Sequence, residues 1–189
     1  TSSFFAKRGY CVVGQDICKD AIKQAKKLQE REGLTNLKFN VGDYENMGYY
    51  NIFDIVVFKD SLHHAMDEEL AITQAYRALK PGGICITSEP GTGHADSEDS
   101  QKAIKKYGVT EKDMSPQHII QMGKIAGFKE FYIYPSSSAL NIVLYGKLED
   151  IKRAKIPRFF FKLSFFRSIL AFILMTVYTR DQGIVVMRK

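Results

Sequence analysis

The chain has 189 residues, of which 45% are hydrophobic and 25% are charged. These proportions are typical of a soluble globular domain and exclude a disordered or fibrous chain. The formal net charge is +6, but the segment from Ile151 onward carries nine basic residues and a single acid, whereas the first 150 residues carry 18 basic and 20 acidic groups. The basic charge therefore belongs to the C-terminal segment, and no nucleic-acid partner is predicted.

The three cysteines are odd in number and have no metal-ligand spacing, so neither a disulfide framework nor a metal site is predicted. Cys11 and Cys85 fall inside predicted strands, where a buried thiol behaves as a small hydrophobic side chain. No basic region followed by an apolar run opens the chain, so secretion is not expected. A cytoplasmic setting is therefore predicted.

Strands and helices are predicted to alternate along most of the chain. The five strands are expected at 10–15, 37–41, 53–58, 84–89 and 128–134. The five helices are expected at 2–8, 20–31, 67–79, 98–107 and 116–126, the last beginning with Ser115 as N-cap and Pro116 in the first position. Such alternation predicts a doubly wound α/β sheet with mostly parallel strands.

Two stretches within this span carry more specific expectations. FDIVVF at 53–58 is almost wholly apolar, which is typical of a parallel strand covered on both faces. KPGG at 80–83 should end the preceding helix, because proline and glycine interrupt helices. Ligands of doubly wound sheets lie beyond the carboxyl ends of the strands. Ligand contacts are therefore expected from the residues that follow the strands: Asp16, 42–44, 59–64 and 89–94.

These stretches together resemble the class I S-adenosylmethionine-dependent methyltransferases, in particular the group that acts on small molecules. GYCVVGQDIC resembles the family's second strand, and GDYENM resembles the stretch after its third strand. FDIVVFKDSLHHAMDEELAITQAYRALKPGGICITSEP resembles the fourth strand, the helix after it and the fifth strand. The resemblance covers about residues 1–135 and implies a Rossmann-like fold with S-adenosylmethionine as cofactor.

The resemblance also implies a set of cofactor contacts. Asp16, with Ile17 beside it, would hold the ribose hydroxyls, since a carboxylate can accept two charge-assisted hydrogen bonds from a diol. Asp43, after Gly42, would meet the adenine amino group, and Tyr44 would offer the ring an apolar face. Lys59 and Asp60 would line the cofactor. Alternatively, Asp16 is a solvated loop acid or the N-cap of a helix at 19–31, and Asp43 is an ordinary turn residue.

The catalytic candidates are His63, His64 and Glu89. Methyl transfer requires the nucleophile to be aligned with the methyl group in a dry pocket, and a hydroxyl acceptor also needs a base. Histidine suits that task near neutral pH. The alternative is that one histidine packs beneath the sheet while the other caps the 67–79 helix. GTGH at 91–94 is interpreted as a flexible lid near the acceptor.

The family's first strand and its glycine-rich turn have no counterpart in the sequence. That strand is central in the family's sheet, and its loss would leave two strand edges without partners. We therefore expect the missing element to lie upstream of Thr1. Two other functions remain open at this stage: a non-catalytic module that has lost the cofactor loop, and a nicotinamide-dependent oxidoreductase, whose ribose an acid after the second strand also suits.

Residues 136–182 are predicted to form a hydrophobic and basic insertion or cap. Residues 183–189 are predicted to form the last strand, which pairs antiparallel in the sheet. Alternatively, residues 139–147 form that strand. The apolar run Ile169–Met175 is too short to span a bilayer. The segment 156–180 is expected to cover the site; alternatively, it contacts a membrane surface. On the basis of this segment, a saccharide or a lipid-linked intermediate is predicted as the acceptor.

Overall fold

The computed structural model describes residues 1–135, 179 and 182–189. The predicted segments 139–147 and 156–180, apart from Thr179, lie outside the described residues. No helix in the described ranges has the length and apolar character needed to cross a membrane.

The predicted alternation of strands and helices is confirmed. The helices are α1 (Ser2–Ala6), α2 (Lys19–Arg31), α3 (Glu68–Ala78), α4 (Glu98–Tyr107) and α5 (Pro116–Ala126). The strands are β1 (Val12–Asp16), β2 (Leu37–Val41), β3 (Phe53–Lys59), β4 (Leu79–Ser88), β5 (Glu130–Pro135) and β6 (Gly183–Arg188). Short 3-10 helices cover Tyr44–Asn46 and Leu62–His64.

Helix ends follow the local chemistry of the sequence. Asp67 accepts a hydrogen bond from the Leu70 N–H at 2.8 Å, which caps α3. Ser115 accepts from the His118 N–H at 3.2 Å, and Pro116 occupies the first position of α5, as predicted. Gly127 ends α5 with a φ of 107°, a left-handed conformation that glycine adopts without strain.

The strands in the described part of the chain form two sheets. β1 and β2 pair in parallel, and the second sheet has the order β3-β4-β6-β5. β3 and β4 are parallel, whereas β6 runs antiparallel to both β4 and β5, which confirms the predicted antiparallel last strand. Within the described residues, β1 and β3 belong to different sheets and are not hydrogen-bonded to each other.

The main core lies between the four-stranded sheet and helices α3 and α5, which contact each other and the sheet. Its fully buried members are apolar side chains from both layers, including Leu62, Ile72, Leu79, Ile119, Val185 and Met187. Leu37 and Ile22 are buried between the smaller sheet and α2. The Leu62 side chain thus fixes the 3-10 helix that carries the two adjacent histidines.

Three expectations about local structure are wrong. The strand at 53–58 is not covered on both faces, because Ile55 and Val57 are 40% and 36% exposed. The helix before KPGG ends at Ala78, as expected, but the next strand was expected to begin at residue 84, and β4 begins at Leu79 and includes KPGG. KPGG forms an irregularity in the ladder, where Phe53 pairs with Leu79 but Ile55 pairs with Ile84. Cys11 precedes β1 and is exposed, while Cys85 is buried as expected.

Candidate active site

The residues expected at the site do lie at the carboxyl ends of the strands. Asp16 ends β1, Gly42 and Asp43 follow β2, Lys59 ends β3, and Glu89 follows β4. Because β1 and β2 are parallel, as are β3 and β4, each pair of strands brings its following residues to one edge of its sheet.

Asp16 and Asp43 both have local backbone partners. The Asp16 Oδ1 accepts from the Cys18 N–H at 2.8 Å, and the Asp43 Oδ1 accepts from the Glu45 N–H at 2.8 Å. The Asp43 contact is the turn contact kept as an alternative. Asp16 does not cap α2, because the N-cap of that helix is Cys18 and no side chain caps it. Each contact uses one carboxylate oxygen. Ile17, next to Asp16, is 72% exposed, an unusual position for a large apolar side chain.

Lys59 and Asp60 pair with each other through Nζ and Oδ2, and both side chains are at least half exposed. Asp60 has a φ of 48°, in the left-handed region that non-glycine residues rarely adopt. Its N–H donates to the Ser88 carbonyl at 2.9 Å, so the ends of β3 and β4 are tied together at this strained residue.

Tyr44 links the end of β2 to the end of β3. Its hydroxyl donates to the Ser61 carbonyl at 2.9 Å, and its ring meets Phe58 edge to face, with the ring centroids 5.8 Å apart. Burial, helped by surrounding carboxylates that include Asp16 and Glu89, raises the pKa of Tyr44 to about 12. Tyr44 therefore lies in the electrostatic field of acids from both sheets and stays a neutral hydrogen-bond donor.

Glu89 holds the loop after β3 in place. Its side chain is fully buried and accepts from the Ser61 N–H at 3.0 and 3.2 Å with its two oxygens. Its Oε2 lies 2.7 Å from the Nδ1 of His63, whose side chain is 6% exposed. A buried carboxylate requires such partners. Because a carboxylate accepts, the Nδ1 of His63 carries the proton, and the lone pair of the ring is on Nε2.

His64 has the opposite exposure. Its side chain is 41% exposed, and its Nδ1 lies 2.7 Å from the Thr110 carbonyl oxygen. A carbonyl can only accept, so Nδ1 carries the proton and Nε2 holds the lone pair. Neither histidine caps α3, because Asp67 does so. The two rings lie side by side, with centroids 3.9 Å apart.

Sequence reasoning missed Glu111. Its side chain is 7% exposed, and its Oε2 lies 2.8 Å from the Nε2 of His94 and 3.6 Å from the Nε2 of His63. Its Oε1 lies 3.8 Å from the Nδ1 of His64. In the sequence Glu111 belongs to the polar stretch TEKD, which is typical of a solvated loop. Its place in the site is shown only by the histidines that surround it in the structure.

The loop that contains GTGH lies against this cluster, with the rings of His63 and His94 5.0 Å apart. Asp113 accepts from the N–H groups of Ala95 and Gly93 at 2.8 and 2.9 Å. These backbone hydrogen bonds, the one from Ala95 first, lower the pKa of Asp113. The loop therefore lies beside the candidate catalytic residues, while its role as a flexible lid near the acceptor stays a prediction.

Comparison with known proteins gives a consistent result. A family described as methyltransferase domain matches residues 4–134. The chain is 31% identical to phosphoethanolamine N-methyltransferase 3 of Arabidopsis thaliana over 147 residues, which are 76% of this chain and 29% of that protein. It is 38% identical to the 2-heptyl-1-hydroxyquinolin-4(1H)-one methyltransferase of Mycobacteroides abscessus over 145 residues, which are 69% of this chain and 62% of that protein.

A solved structure has the same fold. It is the Haemonchus contortus phosphoethanolamine N-methyltransferase 2 in complex with S-adenosyl-L-methionine. It superposes with a TM-score of 0.59 at 19% identity, over 94% of this chain and 42% of that one. The chain spans less than two thirds of the length of the curated relatives described above.

Proposed function

This chain belongs to the methyltransferase domain family, and from that membership we propose that the protein transfers a methyl group from S-adenosylmethionine to a small-molecule acceptor. The observation that supports the proposal best is a hydrogen-bonded path. It runs from Tyr44 through Ser61 and Glu89 to His63. The path joins the stretch that resembles the family's adenine contact to the stretch that resembles its catalytic loop.

The residues at the end of β1 fit the cofactor. Asp16 uses Oδ1 locally, so its Oδ2 is available for a ribose hydroxyl, and exposed Ile17 supplies an apolar surface beside it. Asp43 would accept from the adenine amino group with the oxygen that its turn does not use. When bound, the cofactor supplies an electrophilic methyl group on a sulfonium.

We assign removal of the acceptor proton to His64. Its ring is accessible, and the Thr110 carbonyl fixes the proton on Nδ1, so the lone pair of Nε2 is free to accept another proton. His63 is too buried for the same role, and its Nε2 lies beside Glu111. His63 and Glu89 are therefore positioning residues, which hold the 3-10 helix that carries His64.

The acceptor class follows from this base. One relative is named a phosphoethanolamine N-methyltransferase, and another is named a methyltransferase of 2-heptyl-1-hydroxyquinolin-4(1H)-one, a compound that carries a hydroxyl group. An ammonium or hydroxyl group must lose its proton to become a nucleophile. We propose an acceptor of this kind for the protein. A saccharide or lipid-linked acceptor remains a prediction based on 156–180.

The test uses radiolabelled S-adenosylmethionine with phosphoethanolamine, 2-heptyl-1-hydroxyquinolin-4(1H)-one and a panel of other amines and hydroxyl compounds. With any acceptor that is methylated, His64→Gln should lower kcat by about 10²–10⁴-fold, the usual contribution of a general base. The affinity for S-adenosylhomocysteine should not change. His118→Gln is the matched control, since His118 lies outside the cluster and contacts Glu68. A kcat within threefold of the wild type in His64→Gln would refute the assignment.

A further inference from the structure

Three of the four histidines of the chain surround one carboxylate. His63, His64 and His94 come from two different loops, and each places a ring nitrogen within 4 Å of a Glu111 oxygen. One ligand atom from each of His63, His64 and Glu111 lies within 4.8 Å of the other two. We propose that this cluster binds a divalent transition-metal ion of the zinc type, with His94 as the fourth ligand.

The distances favour an ion between the groups. The Nε2 of His63 and the Nδ1 of His64 lie 3.6 and 3.8 Å from the Glu111 oxygens, which is too long for a hydrogen bond. Two ligand atoms that share a tetrahedral zinc ion, each at 2.0–2.2 Å, are separated by about 3.3–3.6 Å. These two distances are close to that separation, and the three ligand atoms of His63, His64 and Glu111 lie within 4.8 Å of one another, so that sharing one ion requires a closing movement of at most about 1.5 Å.

The contacts behind the ligands are those of a metal site. The Nδ1–H of His63 donates a hydrogen bond to Glu89 at 2.7 Å. This contact fixes the ring and directs the Nε2 lone pair toward Glu111. A carboxylate behind a ligating histidine is the usual outer contact of zinc sites. Glu89 and Glu111 also place two nearly buried carboxylates in one cluster, with side chains 0% and 7% exposed. A divalent cation compensates that charge.

The fourth ligand comes from the loop after β4. The Nε2 of His94 lies 2.8 Å from the Glu111 Oε2, so this pair is hydrogen-bonded without the ion and has to release a proton when the ion binds. The Nδ1 of His64 must likewise release its proton and leave the Thr110 carbonyl. Histidine and carboxylate ligands suit zinc and similar ions.

An ion at this cluster and proton removal by His64 exclude each other, because both use the same ring. The site therefore also provides a means of inhibition by metal. The proposal itself concerns binding and is measured without any transfer of a methyl group, so it stands or fails independently of the proposed function.

The test is calorimetric titration of Zn²⁺ into the full chain. The exposed Cys11 and Cys18 are first replaced by serine, so that thiols do not bind the ion. One Zn²⁺ per chain is expected. Glu89→Gln should weaken binding by about 10–100-fold, as loss of an outer partner does, and Glu111→Gln should weaken it further. The matched control is His118→Asn, which should bind Zn²⁺ as the parent does.

A second measurement uses Co²⁺ in place of Zn²⁺. The intense visible absorption of tetrahedral Co²⁺ should develop in the parent and be lost in Glu111→Gln and in His94→Asn. Circular dichroism of each metal-free variant shows that it is folded, and glutamine preserves the shape of glutamate. A parent protein that binds no Zn²⁺, or one whose affinity is the same after Glu111→Gln, would overturn the proposal.

Discussion

Replacing Glu89 by glutamine removes the charge at the centre of the site while keeping the shape of the side chain. The buried Glu89 carboxylate accepts from Ser61 with both oxygens and from His63 with one. A glutamine amide has a single oxygen, and its NH₂ group has to face one of these donors. With the amide oxygen in the place of Oε2, the glutamine still accepts from Ser61 and from His63, but both hydrogen bonds are then to a neutral acceptor, and the NH₂ group in the place of Oε1 faces the Ser61 N–H.

Hydrogen bonds to charged groups contribute about 1.5–3 kcal/mol each. We expect Glu89→Gln to lower the free energy of unfolding by about that amount. Glu89→Ala removes the acceptor of both donors and should cost about 3–6 kcal/mol on the same scale. Urea unfolding followed by circular dichroism measures both values. Glu98→Gln is the control, since the Glu98 side chain is 83% exposed, and it should stay within about 0.5 kcal/mol of the wild type.

Nitrogen NMR of the His63 ring measures a second effect of the same substitution, the position of the ring proton. In the wild type the proton should be on Nδ1, and in Glu89→Gln this preference should weaken. Unchanged stability together with an unchanged tautomer in Glu89→Gln would refute the inference that this carboxylate positions the histidine.

Two further predictions concern the scaffold. Burial is the largest single influence on the pKa of Glu68 and raises it, but the hydrogen bonds from Lys112, the backbone and His118, with the charge of Lys112, together lower the pKa overall. Glu68 therefore stabilises the fold above its unfolded pKa and loses that contribution as the pH falls through its lower, folded pKa. Glu68→Gln should therefore cost about 1 kcal/mol at pH 7 in urea unfolding and nothing at acidic pH, and an equal cost at both would contradict the ion pair. Burial also raises the pKa of the Cys85 thiol. A thiol reagent should therefore label Cys11 and Cys18 in the folded protein and Cys85 only after unfolding. Fast labelling of Cys85 in the folded protein would contradict the burial of β4.

Much of the fold could be predicted from the sequence, because the local signals agree with one another. Ser115 and Pro116 gave the start of α5 correctly, and the ranges expected for α4, α5 and β2 match the structure. The exposure of Ile55 and Val57 could not be predicted, since an apolar run does not show which neighbours cover each face. The bulge at 80–83 depends on pairing with β3, which local sequence does not encode.

The candidate site was predicted only in part for the same reason. Each acid at a strand end is visible in the sequence, because strand ends are local features. Glu111 and His94 are brought to His63 by tertiary structure, through two loops that read as solvent-exposed. Their roles depend on distances across the chain, and no spacing or periodicity reports them.

The central claim is that the carboxyl end of β1 holds S-adenosylmethionine. Calorimetric titration with S-adenosylhomocysteine tests it most directly. We expect binding that is weakened by about 1.5–3 kcal/mol in Asp16→Ala, the scale for hydrogen bonds to a charged group. Asp20→Ala, an exposed acid of α2, should bind as the wild type does. A dissociation constant that is unchanged in Asp16→Ala, or tighter binding of NADH than of S-adenosylhomocysteine, would contradict the account.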